Sequence, residues 1–271
     1  MLRRKRWFST SATLCAVSGT WLAVEWTRNN LGDESTLTGW TLLVSTAGLY
    51  LLTLRKRLIV WRLGPVAAWL QMHMYMGSFA SIIFLMHIGW PIRGLFESLL
   101  AACFTIVAAS GVMLGWMSRS TPRKLAAIER DYRLEQIPAL QSLVAGDAHH
   151  IALTSTTFGE GATLAEFYQR RLLPFFQSPR SLLYRSLPSG IKRRQLLREL
   201  GGLDRYLADQ GTASRHRMMI LVKSKDDLDY HQALQTRLRM MFALHMALTW
   251  ALALMIGVHI VLVYRFQGAM L

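Results

Sequence analysis

Hydrophobic and polar positions divide the chain into five apolar stretches and one long polar one. The apolar stretches run from about Phe8 to Trp26, Gly39 to Leu54, Pro65 to Trp90, Leu95 to Met117 and Met240 to Tyr264. Each is close to the ~20 residues that a bilayer-spanning helix needs. The first is diluted by Ser and Thr. Its basic prefix, Arg3, Arg4, Lys5 and Arg6, also fits a cleaved signal peptide. With no small-x-small cleavage site behind it, the stretch reads as a retained helix.

The polar stretch, Ser118 to Arg239, carries helical patterns such as "GATLAEFYQRRLLPFF" and "KRRQLLRELGGLDRYLAD", broken at Pro174, Pro179 and Pro188. Its end, "DDLDYHQALQTRLRMMFALH", reads as one helix running on into the fifth apolar stretch. The expected fold is therefore an all-α integral membrane protein. A five-helix transmembrane bundle would carry a helical insertion between helices four and five. The expected divisions are 1–117 (helices one to four), 118–239 (insertion) and 240–271 (helix five and a short tail).

Charge gives this arrangement a direction. "MLRRKR", "RKRLIVWR" and "SRSTPRK" fall on one side, while "TRNNLGDESTLT" and "WPIRG" hold one arginine each on the other. An excess of Lys and Arg marks the cytoplasmic side. The N-terminus and the insertion should then be cytoplasmic and the C-terminus external, in a bacterial-type inner (cell) membrane. Helices three and five would run parallel. The formal charge of +15 fits such a cytoplasmic face without invoking nucleic acid. A charged fraction of 17% is low for a soluble domain. The two cysteines, Cys15 and Cys103, lie in apolar stretches, and neither a CxxC nor a CxxCH occurs. Zinc sites of that type and covalent c-type haem are thereby excluded. No GxGxxG or P-loop points to flavin, nicotinamide or nucleotide.

Candidate chemistry lies in the histidines of helices three and five. His73 and His87 are fourteen residues apart, and so are His245 and His259. Fourteen steps of about 100° fall roughly 40° short of four turns, so each pair shares one side of its helix. The rise is about 21 Å, a large part of the ~30 Å hydrocarbon layer. With the helices parallel, His73 matches His245 in depth towards the cytoplasm, and His87 matches His259 towards the outside. A haem iron takes two axial ligands from opposite sides, and imidazole serves. The four histidines can thus clamp two non-covalent b-type haems. Neither helix has Asp or Glu in its apolar core, as a proton relay or metal channel would more often have.

Other residues follow the same symmetry. Arg93 lies six positions after His87 and Arg265 six after His259, both placed to meet haem propionates or to anchor the interface. Arg62, Arg237 and Arg239 have the equivalent choice on the inner side. Gly77 lies one turn from His73 and is a candidate for close approach of a flat macrocycle, whereas Gly111 and Gly115 on helix four suit helix packing. Met72, Met74, Met76 and Met86 read as apolar filling. His149, His150, His216 and His231 in the polar segment are expected to be exposed and not to act as ligands.

The order H-x13-H, one intervening helix, H-x13-H resembles the bis-histidyl membrane cytochromes b, both the cytochrome b of bc-type complexes and ferric reductase-like membrane domains. The resemblance covers about half the chain. It implies that His73, His87, His245 and His259 ligate two haems in series across the membrane. The bc-type quinol motif "PEWY" is absent, and so is a C-terminal flavin or nicotinamide domain. A particular substrate therefore does not carry over.

The resulting expectation is a dihaem subunit that carries electrons across the membrane within a larger oxidoreductase complex. Its partners would be a quinone, a c-type or multihaem cytochrome, or a cytoplasmic iron–sulfur or flavin protein, with membrane lipid around it. Two other classes remain open at this stage. One is a non-haem, histidine-lined transporter or ion pathway. The other is a membrane anchor that recruits a cytoplasmic partner.

Overall fold

The computed structural model describes residues 2–57, 64–89, 91–92, 94–126, 132–157, 162–207 and 209–267. Every regular element among them is helical. In chain order these are α1 (Leu2–Asn29), α2 (Glu34–Arg57), α3 (Val66–His87), α4 (Leu95–Leu125), α5 (Ile137–Ser155), α6 (Ala162–Phe167), α7 (Leu173–Gln177), α8 (Leu182–Ser186), α9 (Ile191–Gly202) and α10 (Asp209–Gln267). A π turn, Tyr168–Leu172, joins α6 to α7, and a 3-10 turn, Leu203–Tyr206, follows α9.

The chain forms two compact units. One comprises Met1–Gly115 with Leu244–Leu271, and the other Trp116–Ala243. The divisions fall inside α4 and inside α10, because each helix runs on without a break through its change from apolar to polar sequence. α10 begins at Asp209 and is 59 residues long.

In the first unit, α2 packs along α3, and α1 packs on both. The α1–α2 turn is made by Leu31 in a left-handed conformation (φ 57°) followed by Gly32. Asp33 then caps α2: its carboxylate accepts from the Ser35 backbone N–H at 2.9 Å and from the Ser35 and Thr36 hydroxyls. Those bonds, Thr36's foremost, lower the Asp33 carboxyl to about 2.

α4 and α10 are long and apolar enough to cross a membrane. α3 falls short of that measure because Gln71, His73, Tyr75 and His87 interrupt its apolar surface. Ser and Thr do the same in α1 and α2. Their hydroxyls nevertheless donate to carbonyls of their own helices: Thr13 to Ser9, Thr20 to Ala16, Thr41 to Leu37, Ser45 to Thr41. Large apolar side chains of all five segments face outward, among them Leu14, Val44, Leu85, Val112 and Leu254.

The second unit has a conventional core. Leu164, Leu172, Phe175, Leu200, Met218 and Val222 are at most 2% exposed and pack together. Beside it lies a buried charged network. Arg180 donates to Asp226 and Asp229, each at 2.6 Å, and Lys225 reaches Asp229 at 2.5 Å. Gln141 donates to Asp229 at 2.8 Å. A cavity of about 660 Å³ opens beside these groups, lined in part by Gln141, Arg180, Tyr184, Lys225 and Gln232.

One expectation fails in this unit. His149 and His216 are exposed, but His231 is fully buried, its ring edge-on to Tyr132 at 5.1 Å. The cause is that α10 is enclosed around this stretch: Asp226, Leu228, Asp229, Ala233 and Leu234 are buried with it. A polar sequence here marks an internal ion network and not a solvated face.

Candidate functional site: two histidine pairs

The four histidines of α3 and α10 fall into two pairs. The His87 and His259 rings have centroids 6.4 Å apart and planes at 87°. His73 and His245 are near enough for their charges to interact. Helical register explains the matching, since α3 and α10 each present one ring per pair fourteen residues apart.

The two rings meet edge to face, and Phe96 stacks on His259 with centroids 6.5 Å apart. Among the described residues no three or more His, Cys, Asp or Glu gather into a metal cage. The donor set at each level is two imidazoles, the number a haem iron takes axially.

Two hydroxyls fix the tautomers. Thr38 Oγ1 lies 3.0 Å from His87 Nδ1, and Ser110 Oγ lies 2.8 Å from His245 Nδ1. A hydroxyl has a single proton to give. Thr38 directs its own to the Glu34 carbonyl at 2.9 Å or the Ser35 carbonyl at 3.1 Å. Ser110 directs its own to the Val107 carbonyl at 2.8 Å. With the hydroxyl proton on the carbonyl, each hydroxyl oxygen accepts from an imidazole Nδ1–H, and in that tautomer the Nε2 lone pair is the free one, as in a metal-ligating histidine oriented by an outer partner.

Each hydroxyl is followed by a glycine under the ring. A Cβ on Gly39 would come within 3.1 Å of His87 Cε1, and a Cβ on Gly111 within 3.2 Å of His245 Cε1. Thr38–Gly39 on α2 and Ser110–Gly111 on α4 are thus equivalent seats for the two imidazoles. The His73 Nδ1 is cut off from solvent, and its ring meets the Leu49 backbone of α2.

A small apolar core separates the two levels. Ala80 lies seven residues from both His73 and His87, and Leu252 seven from both His245 and His259. Both are buried and cluster with Phe104, whose ring stacks on Phe84 at 4.2 Å. Tyr50 closes α2 onto α10 by donating to the Thr249 carbonyl at 2.7 Å.

The remaining sequence candidates fall as follows. Arg93 lies outside the described residues, as does Arg62. Arg265 is exposed in the last turn of α10. Arg237 donates to the Ser186 carbonyl, and Arg239 pairs with Glu135. Gly77 faces nearly open space, with Leu49 Cδ2 at 4.0 Å as the nearest atom to an added Cβ. Met76 and Met74 pack where Gly48 and Gly115 lack side chains. The residues that sequence reading missed are Thr38, Gly39 and Ser110. Their signal was a hydroxyl–glycine dipeptide on each helix beside a histidine helix.

No protein-family description, characterised protein or solved structure matches the chain.

Proposed function

We propose that the chain is a dihaem cytochrome b subunit that carries electrons across a membrane as part of a larger redox complex. The observation that carries this reading is the meeting of the His87 and His259 rings, centroids 6.4 Å apart, with Thr38 Oγ1 at 3.0 Å from His87 Nδ1. His87 and His259 would hold one haem, and His73 and His245 the other. When bound, b-type haem supplies a one-electron redox couple whose potential the protein sets. Thr38 and Ser110 hold two of the ligands in the ligating tautomer. Ala80, Phe104 and Leu252 place a buried apolar cluster between the pairs. The levels are separated by about 21 Å along the helices.

The same reading makes α1, α2, α3, α4 and the second half of α10 five spans, with the N-terminus cytoplasmic and the C-terminus external. Its support is the outward apolar surface of all five segments and the internal satisfaction of the α1 and α2 hydroxyls. Redox partners would be a quinone, a c-type or multihaem cytochrome, or an iron–sulfur or flavin protein. A histidine-lined ion pathway fits less well, because the apolar layer fills the space an ion would cross.

A reduced-minus-oxidised spectrum of the purified protein, with haem quantified per chain, tests the proposal. Two b-type haems per chain are expected. A chain purified from a haem-replete membrane with no b-type α-band would refute it.

A further inference from the structure

Among the exposed large apolar side chains of the second unit, four fall in one short segment. Leu182 is 78% exposed, Leu183 73%, Leu187 68% and Ile191 62%. They lie within ten residues, across α8 and the start of α9. The amphipathic order is inverted there. Tyr184 is the residue of α8 that turns inward, its hydroxyl enclosed and its ring under the Arg180 guanidinium at 4.7 Å. The leucines on either side point out. α9, by contrast, buries Leu196 and Leu200 in the core and leaves Ile191 outside.

Along the chain the charge of this segment has one sign. From Ser181 to Arg198 the chain holds Arg185, Lys192, Arg193, Arg194 and Arg198 and no Asp or Glu. Arg193 is occupied by Asp227 at 2.8 Å. Arg185 and Arg194 are exposed beside the leucines. Apolar side chains that project from a cationic rim match an interfacial membrane contact: the leucines enter the headgroup boundary while the cations meet lipid phosphates.

We propose that the ridge of Leu182, Leu183, Leu187 and Ile191, rimmed by Arg185 and Arg194, is a docking surface for an anionic lipid bilayer. The inference shares with the functional proposal only its membrane setting and is independent of haem. A soluble acidic protein would supply the charge but would leave three leucines and an isoleucine to be matched by a separate apolar patch. A bilayer supplies both at every point of its surface.

The test uses the full chain with Cys15→Ala and Cys103→Ala, carrying an environment-sensitive fluorophore on Leu183→Cys. It is reconstituted into vesicles of pure phosphatidylcholine, or of one part phosphatidylglycerol to two parts phosphatidylcholine, each with doxyl-labelled lipid as quencher. Companion labels sit on Leu254→Cys, on the apolar part of α10, and on Leu153→Cys, exposed on α5. Quenching at Leu183 in the anionic vesicles, weaker in the neutral ones and absent at Leu153, is the expected result. Quenching at Leu254 but not at Leu183 would overturn the docking surface and leave the membrane reading standing. Absence of quenching at both would overturn both. Equal quenching at Leu183 in the two lipids would overturn the anionic recognition.

Discussion

The Thr38 hydroxyl lies 3.0 Å from His87 Nδ1 and 2.9 Å from the Glu34 carbonyl of its own helix. In the proposed dihaem reading this contact would tie the backbone of α2 to a haem ligand on α3. An Nδ1–H engaged by Thr38 would make the imidazole a more basic ligand, which favours ferric over ferrous iron. Thr38→Val keeps the shape and removes the acceptor. Its expected effect is a higher midpoint potential for one of the two haems, with about 10–100-fold weaker retention of that haem. Thr38→Ser should restore both. Redox titration of the two α-bands checks this, and an unchanged pair of potentials in Thr38→Val would remove Thr38 from the site.

Gly39 and Gly48 both lie on α2 against α3, but they face different neighbours. An Ala at Gly39 meets the rigid His87 ring at 3.1 Å, whereas an Ala at Gly48 meets the flexible end of Met76. A methionine can change rotamer at little cost, and a ring held by Thr38 cannot. Gly39→Ala is therefore expected to lose or perturb one haem of the two. Gly48→Ala should keep both. Haem-to-protein ratio with the α-band spectrum of each variant decides between them.

These residues show how far the sequence reached. The histidine pairs were legible because helical periodicity is local: fourteen residues fix a face and a depth whatever else the fold does. Thr38, Gly39 and Ser110 were not, because their meaning depends on which helices pack together and in what register. Arg237 and Arg239 were read for side and charge alone, and the partners they find, the Ser186 carbonyl and Glu135, are set by tertiary packing. His231 went wrong for a related reason. The polar run "KDDLDYH" pairs with Arg180 from another element, and a single helix cannot show that its charges are neutralised from outside.

Ala80 tests the apolar layer. It is 1% exposed and sits midway between the two histidine levels. Ala80→Leu adds volume where Phe104 and Leu252 already fill the space, an overpacking that typically costs about 1–3 kcal/mol. Loss of the folded signal at a lower temperature, followed by circular dichroism in detergent, is the expected outcome. Full stability in Ala80→Leu would mean that the layer holds a void, and the case for a closed barrier would fall.

Asp226 gives the second unit a pH dependence whose sign follows from burial. Desolvation pushes its carboxyl up to about 6, with Arg180 and Arg193 pulling the other way. In the unfolded chain the same group titrates near 3.9. Between those two values the folded state binds more protons than the unfolded one, so stability falls as pH rises from about 4 to about 6 and levels off above. One group contributes at most about 1.4 kcal/mol per pH unit over that window. The partial exposure of Arg193 reduces this. Asp226→Asn removes the titrating group but keeps a hydrogen-bonding side chain beside Arg180. Thermal unfolding at a series of pH values between 4 and 7 should show a steeper fall for the parent chain than for the variant. Parallel curves would show that Asp226 titrates alike in the folded and unfolded chains, held down by Arg180 against its burial.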